Sequence, residues 1–235
     1  MTNKREMDFS IILPVYNQAD HITQVIDEYV QTFENIKYSH EFILVINNSN
    51  DRSIHVCEQL TTKYNNVHSV NLESGGWGNA VKAGLRIAQG RMVCYTNSAR
   101  TSPENLALLV LYGAVNEDRV IKANRKNRES VFRRLGSLVY NLECRALFDV
   151  PFWDINGTPK VFPRSFPKLF DLARNDDLID LEFSIICKQN DYPMIEVPIF
   201  SQRRHGGKST TNISSAIRMY LGAFLMWLDI LKGEA

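Results

Sequence analysis

SIILPVYNQADHITQVIDEYV, residues 10–30, contains a strand, a turn and a helix in that order. Ser10–Val15 is a short apolar run without alternation, the pattern of a strand buried on both faces, and Pro14 helps to close it. Asn17 or Asp20 is placed to cap the helix that follows, where Ile22, Val25, Ile26, Tyr29 and Val30 recur at helical spacing. The alternation continues outward. Glu41–Ile46 (EFILVI) is a second buried strand, followed by the turn-rich Asn47-Asn48-Ser49-Asn50-Asp51 and a helix over Ile54–Tyr64. Val67–Leu72 is a third, weaker strand. A glycine-rich turn, Ser74-Gly75-Gly76-Trp77-Gly78, leads into a helix through Ala80 to Ala88. Met92–Thr96 is the fourth strand, and Pro103 starts a helix to about Val115. Strands alternating with helices predict an α/β fold with a mostly parallel, doubly wound sheet. Such sheets bind ligands at the carboxyl ends of their strands, which directs attention to the loops after Val15, Ile46 and Thr96.

The second half is less regular. Helices are predicted over Phe132–Phe148, Phe166–Ala173 and Leu181–Gln189, with a loop and strand over Pro151–Phe162. A strand over Ile195–Phe200 contains Pro198, which places it at a sheet edge. At 235 residues and 44% hydrophobic, the chain suits one sizeable core. A net charge of +1 provides no global field towards nucleic acid or a charged surface. Cys57, Cys94, Cys144 and Cys187 form no CxxC pair, so zinc ligation and a disulfide framework are not indicated; free thiols in a reducing cytosol are expected. The polar N-terminus shows no secretory signal, and no run of some 20 apolar residues would span a bilayer.

Several segments now fall into a known order. Ile11-Ile12-Leu13-Pro14-Val15-Tyr16-Asn17 resembles the opening strand and loop of family-2 glycosyltransferases. Leu44–Asp51 (LVINNSND) resembles that family's VVDDGSTD segment. Gly76-Trp77-Gly78-Asn79-Ala80, with Gly84, resembles its GxGxAxxxG segment, and Val93–Glu104 fits the frame of its fourth-strand motif. Downstream, Arg125, the pair Arg133-Arg134, the loop at Asp154, Asp180-Leu181-Glu182, Glu196-Val197-Pro198 and Arg204–Ser209 resemble the dolichyl- and polyprenyl-phosphate mannose synthase branch. The resemblance runs from about Ser10 to about Ser215. It implies a single GT-A domain, with a nucleotide-binding half over 1–115, an acceptor and phosphate half over 116–215 and a C-terminal apolar helix over 216–235.

The resemblance also implies roles. Pro14, Val15, Tyr16, Asn17, Asn47, Gly76, Gly78, Asn97 and Ala99 would lie against the donor nucleotide. Glycines admit close backbone approach, and the helix they open has unpaired N–H groups that favour anions. Arg100, Arg125, Arg133, Arg134, Arg203, Arg204 and Lys208 would hold phosphates. Between Glu117 and Arg134 seven Lys or Arg face three acids, which predicts a mobile basic loop. No aromatic stacking array accompanies it, so nucleic acid is not the expected partner. Asp154, Asp180 and Glu182 are the candidate catalytic carboxylates, with structural ion pairing as the alternative role for each.

One departure matters most. The family has Asp-x-Asp after its fourth strand to hold a divalent cation, and Asn97-Ser98-Ala99 stands there. Asn and Ala lack the charge that a hard cation such as Mg²⁺ or Mn²⁺ prefers, so no metal site is assigned. Three readings follow. The chain is an inverting transferase, metal-independent or only weakly dependent on Mg²⁺ or Mn²⁺, with arginines such as Arg100 neutralising the leaving diphosphate. Or it takes a different donor, such as a nucleoside monophosphate sugar. Or it is a non-catalytic module that binds a nucleotide sugar or a partner protein. The acceptor is a polyprenyl phosphate or a glycan hydroxyl. Ala216–Leu231, rich in Leu, Met, Phe and Trp, is a helix docked on the domain, on a second copy, or in a membrane interface, the last giving a peripheral position at the inner face.

Overall fold

β1 (Phe9–Val15) and β2 (His40–Asn47) are adjacent interior strands of the sheet, buried along their whole length apart from half-buried His40. That burial is why both read as unbroken apolar runs rather than alternating ones. The computed structural model describes residues 7–126, 131–200 and 213–233. In chain order the further elements are α1 (Ile22–Phe33), α2 (Ser53–Lys63), β3 (Val67–Leu72), α3 (Trp77–Ile87), β4 (Met92–Tyr95), α4 (Pro103–Val115) and β5 (Val120–Arg125). They continue with α5 (Val131–Phe148), β6 (Lys160–Pro163), α6 (Ile179–Gln189), β7 (Met194–Ile199) and α7 (Ile213–Lys232). The seven strands form one sheet in the order β3-β2-β1-β4-β6-β5-β7. All are parallel except β6, which runs antiparallel to both β4 and β5. This is an α/β domain with a mostly parallel sheet, as expected.

Each face of the sheet is covered by helices. On one side Ile11, Leu13, Phe42 and Leu44 meet Val25 and Tyr29 of α1, Leu60 of α2 and Leu109 of α4. On the other, Ile12, Ile43, Val45 and Tyr95 meet Val81 and Leu85 of α3 and Phe183 of α6. A third cluster joins Tyr140 and Cys144 of α5, Leu181 and Ile185 of α6, and Ala223 and Met226 of α7. All four cysteines are buried and free, and burial pushes the thiols of Cys57, Cys144 and Cys187 up to about 12.

Several expectations change. The segment read as a mobile basic loop contains β5, an interior strand. Lys122 at its centre is fully buried, and its ammonium reaches Glu196 Oε1 at 2.8 Å and the Trp153 carbonyl. A paired lysine is tolerated where a free one would not be. The helix expected over Phe166–Ala173 is only a 3₁₀ turn, Pro167–Phe170. The N–H groups of Ala173 and Arg174 bond to Glu182 Oε1 and Oε2, at 2.7 and 2.9 Å, rather than to a preceding helical turn. α1 has no side-chain cap. Asp20 pairs with His21, and Asn17 accepts the Asn50 N–H instead. β7 is an edge strand, as Pro198 implied.

Candidate functional site

The carboxyl ends of β1, β2 and β4 converge on one edge of the sheet, where their following loops are tied together. The Asn17 N–H donates to Ser49 Oγ at 3.1 Å, and the Asn50 N–H to Asn17 Oδ1 at 2.8 Å. The Gln18 N–H donates to Ser53 Oγ at 2.9 Å, and the Ala19 N–H to Asp51 Oδ2 at 3.0 Å. Asn17 and Asn48 both sit at positive φ, 49° and 52°, a region asparagine enters more readily than most residues. The loops after β1 and β2 are therefore a cross-braced unit. Pro14 and Val15 are buried beneath it, while Tyr16 stands 41% exposed above. Asn47 is buried, and among the described residues no donor reaches its Oδ1. A buried acceptor without a partner is costly, so this atom suits a donor brought by a ligand or a water.

The turn after β4 is closed on itself. Asn97 Oδ1 accepts the Ala99 N–H at 3.1 Å, and the Arg100 and Thr101 N–H groups bond to the Asn97 carbonyl. The Ser98 hydroxyl donates to Gln18 Oε1 at 2.9 Å, fastening this turn to the loop after β1. The Ala99 methyl is fully buried, and Arg100 is half-buried beside it. A hard divalent cation needs several oxygen ligands, preferably anionic. This turn has no carboxylate, its amide oxygen is already engaged, and no group of three His, Cys, Asp or Glu able to hold a metal occurs among the described residues. The donor set does not fit such an ion.

The glycine turn makes its close approach to the protein's own backbone. A Cβ on Gly78 would lie 2.5 Å from the Arg174 carbonyl oxygen, and one on Gly76, at φ 127°, would lie 2.3 Å from that of Asn175. The Asn79 N–H bonds to the same Asn175 oxygen at 2.9 Å. Glu182, through Ala173 and Arg174, holds this facing loop in place. A Gly78→Ala variant is expected to lose about 1–3 kcal/mol of stability through overpacking. Its thermal midpoint should drop by roughly 2–4 °C per kcal/mol. An unchanged midpoint would show that the 174–176 backbone yields freely.

The three candidate carboxylates are all engaged. Asp154, at φ 47°, accepts from Arg125 Nε and Nη2 at 2.7 Å each and from the Arg125 N–H at 2.9 Å. Asp180, at the start of α6, accepts from the Tyr95 hydroxyl at 2.9 Å and is ion-paired with Lys160, the first residue of β6. Glu182 accepts the two backbone N–H groups above. Because β6 is antiparallel, its first residue lies beside the last residue of β4, which brings Lys160 to the carboxyl edge. Sequence reasoning passed over Lys160, Tyr95 and Gln18. Their partners lie 20, 85 and 80 residues away, so no local pattern marks them. Arg134 is exposed at the start of α5. Arg203, Arg204 and Lys208 lie outside the described residues, as does the side chain of Arg133.

Residues 10–165 match the family described as Glycosyl transferase family 2. The undecaprenyl-phosphate 4-deoxy-4-formamido-L-arabinose transferase of Pseudomonas fluorescens is 26% identical over 159 residues, covering 66% of this chain and 47% of that protein. The minor teichoic acid biosynthesis protein GgaB of Bacillus subtilis is 38% identical over 90 residues, covering 37% of this chain and 10% of that protein. The chain thus spans less than half the length of both curated relatives. Among solved structures, glucosyl-3-phosphoglycerate synthase from Mycobacterium tuberculosis, in complex with Mn²⁺, UDP and phosphoglyceric acid, superposes with a TM-score of 0.72 at 16% identity. That match covers 94% of this chain and 78% of the other.

Proposed function

The chain belongs to glycosyl transferase family 2, and from that membership we propose that it moves a sugar from a nucleotide-sugar donor to a polyprenyl phosphate, with inversion and without a divalent metal. The observation that carries the acceptor is the engagement of Asp154, Asp180 and Glu182. An alcohol acceptor needs a general base within hydrogen-bond reach. A phosphate acceptor is already anionic and needs none, so a site whose carboxylates are all committed suits it. One of the relatives is named as an undecaprenyl-phosphate transferase, which agrees with this reading.

In the step, a phosphate oxygen attacks the anomeric carbon. The bond from that carbon to the donor's diphosphate oxygen breaks, and its electron pair leaves with the nucleoside diphosphate. Negative charge on the leaving group is offset by the arginines at the carboxyl edge, Arg100 and Arg125, as planar guanidinium groups do well. The nucleotide lies against Tyr16 and the braced loops, with Asn47 Oδ1 taking an N–H from the base. The work is done at the inner, cytoplasmic face of a membrane, where a lipid phosphate would be met.

The test is a thermal-shift panel of UDP, GDP, CDP and CMP and their sugars, with metal or with EDTA, followed by turnover on a polyprenyl phosphate. A ligand at a hundred times its Kd adds about 2.7 kcal/mol. The expected result is stabilisation by one nucleotide, and turnover that EDTA leaves unchanged. A shift or turnover that requires Mg²⁺ or Mn²⁺ overturns metal independence. The same engaged carboxylates favour a second reading, a non-catalytic nucleotide-sugar module. It predicts the nucleotide shift with no turnover on any acceptor.

A further inference from the structure

α5 and α7 lie side by side. Tyr140 and Tyr220 meet edge to face at 5.6 Å, and the Tyr220 hydroxyl donates to the Gly136 carbonyl. Their inner faces fill the third core with Tyr140, Cys144, Ala223 and Met226. Their outer faces are also apolar. Leu138, Val139 and Leu142 of α5 and Leu221, Phe224 and Leu225 of α7 are each between 44% and 58% exposed. Scattered exposed leucines need no explanation, but repeated ones on adjacent helices mark an interaction surface.

The charges indicate what covers it. Glu143 is the only acid in α5 and Asp229 the only acid in α7, and both are half-buried. Among the described residues, every exposed charge on these two helices is positive: Arg134, Arg218 and Lys232. α4 is a useful contrast. It too exposes apolar residues, Leu108, Leu111 and Val115, but its one charged residue is the exposed acid Glu104, whereas the exposed acid just beyond α5, Asp149, is paired with Lys188 at 2.7 Å. An acidic surrounding is repelled by an anionic membrane, whereas a cationic one is drawn to it.

We propose that the outer faces of α5 and α7 dock on a membrane surface containing anionic phospholipid. The apolar side chains enter the boundary between headgroups and acyl chains, and Arg134, Arg218 and Lys232 meet lipid phosphates. α5 follows β5 and its terminal Arg125, and α7 follows the segment containing Arg203, Arg204 and Lys208. Both helices are therefore reached directly from segments read as phosphate-binding. This inference rests on the lipid-acceptor reading only for its purpose. Docking is measured with no donor and no acceptor, so the two stand or fail separately.

The experiment is flotation of the whole chain with vesicles of phosphatidylcholine alone, or mixed with phosphatidylglycerol. Binding to the mixed vesicles is expected, with a large loss at raised salt and on phosphatidylcholine alone. Leu221→Glu/Leu225→Glu should lower the bound fraction roughly tenfold or more, because apolar burial is lost and negative charge is added. Arg218→Glu should weaken binding to the anionic vesicles only. All these positions are exposed, and an unchanged thermal midpoint checks that each variant is folded. Folded protein that floats with neither vesicle overturns the proposal. So does equal binding to both, or a vesicle-free dimer that the same leucine substitutions dissociate, which would make a second copy the occupant.

Discussion

A Lys160→Met variant unfolds with about 3–5 kcal/mol less stability than the parent chain, and adding Asp180→Leu recovers most of the loss. Lys160 and Asp180 are 0% and 4% exposed, and the carboxylate's other described partner is the Tyr95 hydroxyl. The aromatic rings of Tyr95 and Phe183 lie 5.3 and 5.6 Å from the lysine ammonium. Removing the cation alone leaves a carboxylate in this apolar surrounding, whereas replacing both charges leaves a cavity that methionine and leucine fill. The pH dependence gives a second check. Burial pulls the Lys160 ammonium down to about 8, against the attraction of Asp180. Between there and the ordinary lysine value of 10.5, the unfolded chain binds more protons than the folded one. The lysine's contribution to stability is thus least favourable below about 8 and rises with pH above it. The four buried thiols, held above their ordinary value of 9.0, and Tyr95, held well above its ordinary value of 10.0, act in the opposite sense and lower stability as their unfolded counterparts ionise. A urea midpoint that falls less steeply from pH 8 to 10 in the parent chain than in Lys160→Met is the expected pattern, because the thiols act equally in both. Equal slopes in the two would remove Lys160 as the source.

The second large effect is on turnover. Arg125→Ala should lower kcat/KM for sugar transfer to a lipid phosphate by about 10²–10³-fold, the range for loss of one preorganised charge-stabilising donor. The Arg125 side chain is 21% exposed and is oriented by two bonds to Asp154. Asp154→Asn keeps the arginine and its charge but weakens that orientation, so its loss should be smaller and fall mainly in kcat. Arg125→Lys restores the charge without the planar fork and should recover only part of the rate. If a folded Arg125→Ala protein retains full turnover, phosphate neutralisation at this position is wrong. Loss of stability without change in turnover would leave Arg125 and Asp154 as a structural pair only.

How much of this could be read from the chain depended on where each residue's partner lies. SIILPV and EFILVI were legible because a strand buried on both faces needs nothing but apolar side chains. VIKANR was not, since Lys122 fits an interior strand through distant partners, Glu196, 74 residues on, and the Trp153 and Asp154 carbonyls. The glycines at 76 and 78 announced a close approach, but not that the approaching group is the chain's own backbone at 174–176. Asp154, Asp180 and Glu182 could be found as candidates, while their commitments to Arg125, Lys160 and two backbone N–H groups became visible only in three dimensions. The polar residues after β1 and β2 suggested a ligand loop, and much of their hydrogen bonding goes to bracing each other.

The reversed strand β6 has a consequence for synthesis. It fills the gap between β4 and β5, so neither of those strands has its full set of neighbours until residues 160–163 arrive. On a ribosome the first four strands emerge well before that, with one side of β4 open to any strand that meets it. Open edges of this kind template aggregation. A nascent chain stalled or cleaved near residue 150 would carry such an edge, which makes the stretch between β4 and β6 the interval in which a chaperone has most to protect.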